Sequence, residues 1–243
     1  MTLEEFSNGF DALVNSYRRF KGFDRQEALD SIEFNEYEKS VFLTKAQEEL
    51  VISLYNGKNP YGDSFESTEE QRRYLSQLVL DANLEPITTN SGHPLGVESS
   101  SKFFTLPDDL WFIIYEGVKV SDKSCDSTST MEVCPVTHDE YHRVRNNPFR
   151  GTTEKRALRL DLADGVTEVI CKYNVQYYYI RYMRKPNPII IVNLPNSLTI
   201  EGSDTKTPCE LHEALHERIL ELAVREALQS KGISYRTDNQ ETK

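Results

Sequence analysis

Long apolar runs are missing from this sequence. The most hydrophobic stretches, around 110–115 and 189–192, fall far short of the roughly 18 residues that a membrane span needs, so no membrane association is expected and the chain reads as soluble. A basic, apolar leader is missing as well: Glu4, Glu5 and Asp11 stand where one would lie, and no export signal is read there. Lys and Arg never gather into a stripe with interleaved aromatics, and 39 acidic against 28 basic residues leave a net charge of −11. Such a surface repels phosphate backbones, which argues against sequence-specific nucleic-acid binding. Four cysteines, Cys125, Cys134, Cys171 and Cys209, form no C-x-x-C pair and no zinc-ribbon spacing, so free thiols in a reducing compartment are expected. No P-loop or G-x-G-x-x-G occurs: Val97 and Glu98 follow Gly96 where a P-loop would place lysine and a hydroxyl residue, and 91–96 reads as a surface turn.

What is present points to a folded α+β chain. Apolar residues make up 38% of 243, with 13 tyrosines and 11 phenylalanines, too many for a disordered chain and enough for one large domain or two small ones. The first third reads as helical. Thr2 with Glu5 forms a capping box ahead of Phe6, Phe10, Leu13, Val14 and Tyr17 at helical spacing. Thr44 with Gln47 is expected to open a second helix that Asn56-Gly57 stops, and Ser67 with Glu70 a third that runs through Tyr74, Leu75, Leu78 and Leu80. From 86 to about 195 the texture is that of an antiparallel β region: a strand at 110–120, a hairpin from Leu158, Leu160 and Leu162 through Ala163-Asp164-Gly165 to 169–173, an aromatic strand at 175–183 and a short strand at 189–192. A short helix from Thr137 and Glu140 ends at Asn146-Asn147-Pro148. Polar stretches at 56–67, 88–102 and 121–130 read as linkers. Thr207-Pro208-Cys209-Glu210 combines an N-cap, a first-turn proline and a capping glutamate, which predicts a long amphipathic helix over 208–230 with a frayed tail beyond it. The expected organisation is a helical region 1–85 and a β-rich region 86–243 closed by that helix, with one continuous domain as the alternative.

Inside the predicted last helix lies His212-Glu213-Ala214-Leu215-His216, a literal H-E-x-x-H, in which two histidines one turn apart hold zinc and the glutamate activates its water. A zinc-dependent hydrolase with Glu213 as base is therefore one reading. A third ligand is hard to find: Leu222 stands where the extended motif carries histidine, Glu226 is too close, Glu241 lies in the tail, and His93, His138 and His142 are the upstream alternatives. At about 100° per residue both histidines share an arc with Leu211, Leu215, Ile219 and Ala223, the face that packs, so structural histidines are expected, with no catalytic residue, metal or cofactor. His138 and His142, also one turn apart, read as a solvated or interface face, and Cys171 as a buried strand thiol.

Three segments carry a family resemblance. Residues 34–51, from Phe34 and Asn35 through Lys45, Ala46 and Gln47 to Val51, are one; Arg184-Lys185-Pro186-Asn187-Pro188 with Ile189 to Val192 is the second; and Cys209-Glu210-Leu211 through Leu215-His216 to Ile219-Leu220 and Ala223-Val224 is the third. Together they resemble virion neck proteins of crAss-like bacteriophages, in order and over about a quarter of the chain. The resemblance implies a structural, non-enzymatic head-tail connector: a ring subunit between portal and tail, self-assembled in many copies (twelve-fold) around the DNA channel. It further implies contacts with the portal protein and neighbouring ring proteins, a place in the virion neck or tail, and synthesis in the host bacterial cytoplasm. A generic protein-binding adaptor is the competing reading.

Overall fold

The computed structural model describes residues 1–20, 33–58, 64–87, 97–98, 101–121, 128–195 and 198–232. Among these it has helices α1 (Leu3–Phe20), α2 (Glu36–Asn56), α3 (Glu69–Leu75), α4 (His138–Arg145) and α5 (His216–Ser230). The strands are β1 (Val79–Leu84), β2 (Lys102–Thr105), β3 (Leu110–Ser121), β4 (Thr128–Pro135), β5 (Arg156–Asp161), β6 (Val166–Ile170) and β7 (Asn174–Arg184), so the chain is α+β. It divides into two compact units, Met1–Leu78 with Pro186–Lys243, and Val79–Lys185. The C-terminal helix thus groups with the N-terminal helices, whereas the sequence alone grouped it with the strands. Loop 91–96, His93, Cys125 and the tail beyond 232 lie outside the described residues.

In the first unit, α1 opens as expected: Thr2 N–H donates to Glu5 Oε2 (2.7 Å) and Glu5 N–H to Thr2 Oγ1 (3.2 Å). Its Phe6, Phe10 and Val14 are buried at helical spacing. The cap of α2 lies nine residues before the expected one, Thr44. Asn35 caps the helix, its Oδ1 accepting from Glu38 N–H (2.8 Å) while Glu38 Oε2 accepts from Asn35 N–H (3.0 Å), and Gly57 ends it at φ 70°. Thr44 and Gln47 are instead buried inside α2, where they meet the backbone that follows the β-rich segment. Thr44 Oγ1 accepts from Ile189 N–H (3.1 Å), Ser40 Oγ accepts from Ile191 N–H (3.0 Å), and Gln47 Nε2 donates to the Asn187 carbonyl (2.8 Å). Ile190 turns the other way and exchanges both backbone hydrogen bonds with Thr207 (3.0 Å each). The strand expected at 189–192 is therefore a single bridge, because a helix supplies half of its partners.

The same bridge displaces the start of the last helix. Thr207 spends its N–H and C=O on Ile190, its hydroxyl donates to the Thr205 carbonyl (2.9 Å), and Glu210 accepts from Asn187 N–H (2.7 Å) instead of from a cap. The helix expected from Pro208 begins at His216, after a 3-10 turn at Glu213–Leu215. Ile219, Leu220, Ala223, Val224, Ala227 and Leu228 of α5 are buried, and α5 packs on α1 and α2. A side chain at Gly9 of α1 would meet Leu220 Cδ2 at 2.8 Å, so that crossing is close. Lys39 is 3% exposed and its Nζ joins the two N-terminal helices, 2.7 Å from Asp11 Oδ2 and 2.9 Å from Glu36 Oε1. The third helix starts one residue later than expected, on Thr68, and Leu80 belongs to β1 and not to it.

The second unit is a seven-stranded sheet in the order β1-β7-β3-β4-β5-β6-β2. It is mixed, which corrects the antiparallel expectation: β4 and β5 run parallel, with Val133 beside Ala157, because α4 crosses between them. Strands β2 and β4 form at the ends of stretches read as linkers, and β1 lies inside the region 1–85 read as helical. The β5–β6 hairpin turns on Asp164 (φ 58°) and Gly165 (φ 68°), the left-handed pair that a tight hairpin needs. One face of the sheet buries Phe104, Val118, Val120, Met131 and Ile180; under α4, Tyr141 and Val144 pack on Leu158, Leu160 and Ile170. Among the described residues no helix is long and apolar enough to cross a membrane.

Two outcomes follow. Replacing Thr44 by valine keeps the shape but strands the buried Ile189 N–H, so urea unfolding should report a loss of about 1–3 kcal/mol, with Thr44→Ser close to wild type. Glu226 of α5 is lifted to about 7, first by burial and then by its hydrogen bond with Glu49 of α2. Its proton is held more tightly in the folded chain, so its contribution is full below the ordinary value of 4.5 and lost as pH rises through about 7. Glu226→Gln should raise Tm at pH 8 and leave it nearly unchanged at pH 4.

Candidate functional site

The H-E-x-x-H residues line an open groove of about 570 Å³ in the first unit, together with Thr2, Glu5, Gln77 and Cys209. The spacing that made the motif suggestive is not realised. His212 precedes the helix at φ −57°, ψ 139°, and its Nδ1 accepts from Ala214 N–H (3.3 Å) as the cap of the 3-10 turn. Its ring lies 5.2 Å from that of Tyr74. His216 is 4% exposed and rests against Phe6, ring centroids 5.4 Å apart. Its Nε2 donates to the Leu211 carbonyl (2.9 Å), and its Nδ1 lies 2.6 Å from the Met1 nitrogen. A carbonyl can only accept, so Nε2 carries the proton and Nδ1 is the acceptor; no lone pair is left for a metal. Burial holds the His216 pKa below its ordinary value and keeps the ring neutral.

The other reactive groups are likewise engaged. Cys209 Sγ lies 3.3 Å from Gln47 Oε1 as donor, and burial pushes its thiol up to about 11, so it stays protonated at neutral pH. Cys134, Cys171 and Cys209 are free thiols, and Cys171 is buried against Met131 Sδ at 3.6 Å. His138 Nε2 donates to the Asp161 carbonyl (2.8 Å), and His142 meets Tyr141 edge-on at 5.7 Å. Among the described residues no three His, Cys, Asp or Glu side chains converge as a metal-binding group.

The sheet holds a polar cluster that the sequence did not announce. Glu116 is 9% exposed, and its Oε2 accepts from Arg159 Nη1 (3.0 Å) and from the Tyr178 hydroxyl (2.6 Å). Burial and the Glu116 charge together push the Tyr178 phenol well up, so it remains a donor. Elsewhere in this unit, Glu98 binds Arg145 (2.8 Å) and accepts from Tyr141 OH (2.9 Å), and burial with that carboxylate raises the Tyr141 phenol to about 12. These partners stand 43 and 62 residues from Glu116 in sequence, a separation no local pattern reports.

The family model described as phage tail ring protein 3/4 matches residues 1–240, and the chain belongs to that family. It is 46% identical over 234 residues to "Ring protein 3" of Bacteroides phage crAss001, covering 95% of this chain and 96% of that protein. It is 31% identical over 233 residues to "Ring protein 4/5" of the same phage, covering 92% and 91%. The resemblance to crAss-like ring proteins therefore holds over nearly the whole length. The family consists of structural phage ring proteins and not of enzymes, which makes this chain a virion component.

The two histidines should separate on mutation. His216→Ala removes a buried ring and leaves the Leu211 carbonyl unpaired, and should cost about 1–3 kcal/mol in urea unfolding. His212→Ala combined with Glu213→Gln, at the groove rim, should change stability by no more than about 0.5–1 kcal/mol.

Proposed function

We propose that this chain is the subunit of one ring in the neck between portal and tail, the counterpart of Ring protein 3, and that it encircles the DNA channel in twelve copies. The observation that carries the assignment is the 46% identity over 96% of Ring protein 3, against 31% for Ring protein 4/5. Rotation closes a ring only through two different surfaces meeting head to tail, so the subunit must present both. The net charge of −11 suits a wall along which DNA slides instead of sticking. In this reading the portal protein and neighbouring ring proteins are its partners, and the chain is made in the host bacterial cytoplasm before entering the particle. The H-E-x-x-H motif is structural, and no catalytic residue, metal or cofactor is required.

Native mass spectrometry of the purified chain, alone and mixed with portal particles, tests this reading. The expected product is a metal-free ring at twelve times the subunit mass, formed alone or on the portal. A chain that stays monomeric under both conditions, or that carries one zinc per subunit, would overturn it.

A further inference from the structure

We infer that Phe149 is the anchor by which one copy of this chain grips the next; this rests on the ring-subunit reading and adds the surface that makes the contact. Phe149 is 84% exposed, the most exposed large apolar side chain among the described residues, where Tyr115 at 48% comes next. It does not sit on a loose loop. Asn147 Oδ1 accepts from the N–H of Phe149 (2.8 Å) and of Arg150 (3.3 Å), and Gly151 N–H donates to the Asn147 carbonyl (2.7 Å). The Arg156 guanidinium donates to the Phe149 carbonyl. A side chain at Gly151 would meet the Arg145 and Asn147 carbonyls at 2.7 and 2.8 Å, so the turn closes that tightly only on glycine. An aromatic ring held in water by a fully bonded turn has already lost the backbone freedom that a partner would otherwise have to remove.

The surroundings say what the partner is. Between 143 and 156, with Arg143 and Arg145 neutralised by Glu140 and Glu98, Arg150, Lys155 and Arg156 stand against one carboxylate, Glu154, in a chain of net charge −11. The acidic excess therefore lies elsewhere on the same molecule, and a second copy offers the complementary surface. An aromatic knob among cations is also unlike the surface that would receive it, as a head-to-tail ring requires. Duplex DNA fits less well. Arg143 is already paired with Glu140 (3.0 Å) and Arg145 with Glu98 (2.8 Å), and an exposed phenylalanine gains nothing from a phosphate backbone.

The test uses the full chain with Phe149→Ala and, separately, Arg150→Glu, followed by sedimentation velocity and native mass spectrometry with portal particles present. Both side chains are exposed, so Tm should stay at the wild-type value while subunit association weakens at least tenfold. A chain with benzoylphenylalanine at position 149 should photocross-link to a second copy. Wild-type rings with Phe149→Ala rings of equal stability would overturn this inference and leave the ring reading standing. A wild-type chain that never self-associates would overturn the ring reading and this inference with it. Intact variant rings that lose retention of a DNA duplex would assign the turn to DNA and overturn it as well.

Discussion

The first unit depends on a helix that behaves as a strand. The buried Ser40 and Thr44 hydroxyls on α2 accept the N–H groups of Ile191 and Ile189, and Gln47 supplies the donor for Asn187. Ile189, Ile190 and Ile191 are buried, and leaving the Ile189 and Ile191 N–H groups unpaired there would incur the full desolvation cost of each. Once that segment is fixed against α2, Ile190 faces Thr207, Thr207 is unable to cap a helix, and α5 is postponed to His216. The position of His212 outside the helix is thus a remote consequence of two hydroxyl groups on α2.

The sheet unit solves its polar problem by pairing. Glu116, Arg159 and Tyr178 stand on β3, β5 and β7, and each answers the others inside an otherwise apolar face. A buried ion pair of this kind adds little net stability, because desolvation offsets attraction, yet breaking one side leaves an uncompensated charge. It therefore acts on register: a one-residue slip of β3 or β7 would carry its polar partner to the opposite face.

What was legible in the sequence was what local rules decide. Thr2 and Glu5 announce α1, Asp164-Gly165 announces the β5–β6 turn, and the stop at Gly57 was visible. The misreadings share one cause. Thr44-Gln47 and Thr207-Pro208-Cys209-Glu210 have the composition of helix starts, but their polar atoms are claimed by residues far away in the chain. The parallel β4–β5 pair was hidden because most of β4 falls in or beside a polar stretch read as linker, so the crossover through α4 had no second strand to reveal it. The H-E-x-x-H motif looked chemical because helical spacing was assumed for both histidines, and only one of them is helical.

The order of the chain raises a folding question that the sheet register answers. Val79–Lys185 is inserted between the two halves of the first unit, so α1 and α2 must wait for residues beyond 186. Closing a disordered loop of roughly a hundred residues costs on the order of 4 kcal/mol in chain entropy. In the folded sheet, however, β1 pairs with β7 from Val79 beside Met183 to Leu84 beside Tyr178. Paired antiparallel residues stand about 5 Å apart, so a formed sheet delivers Leu78 and Pro186 nearly side by side and removes most of that cost. The edge pairing β1–β7 thereby serves the helices as well as the sheet: once the inserted unit is formed, docking 187–191 onto α2 costs less chain entropy.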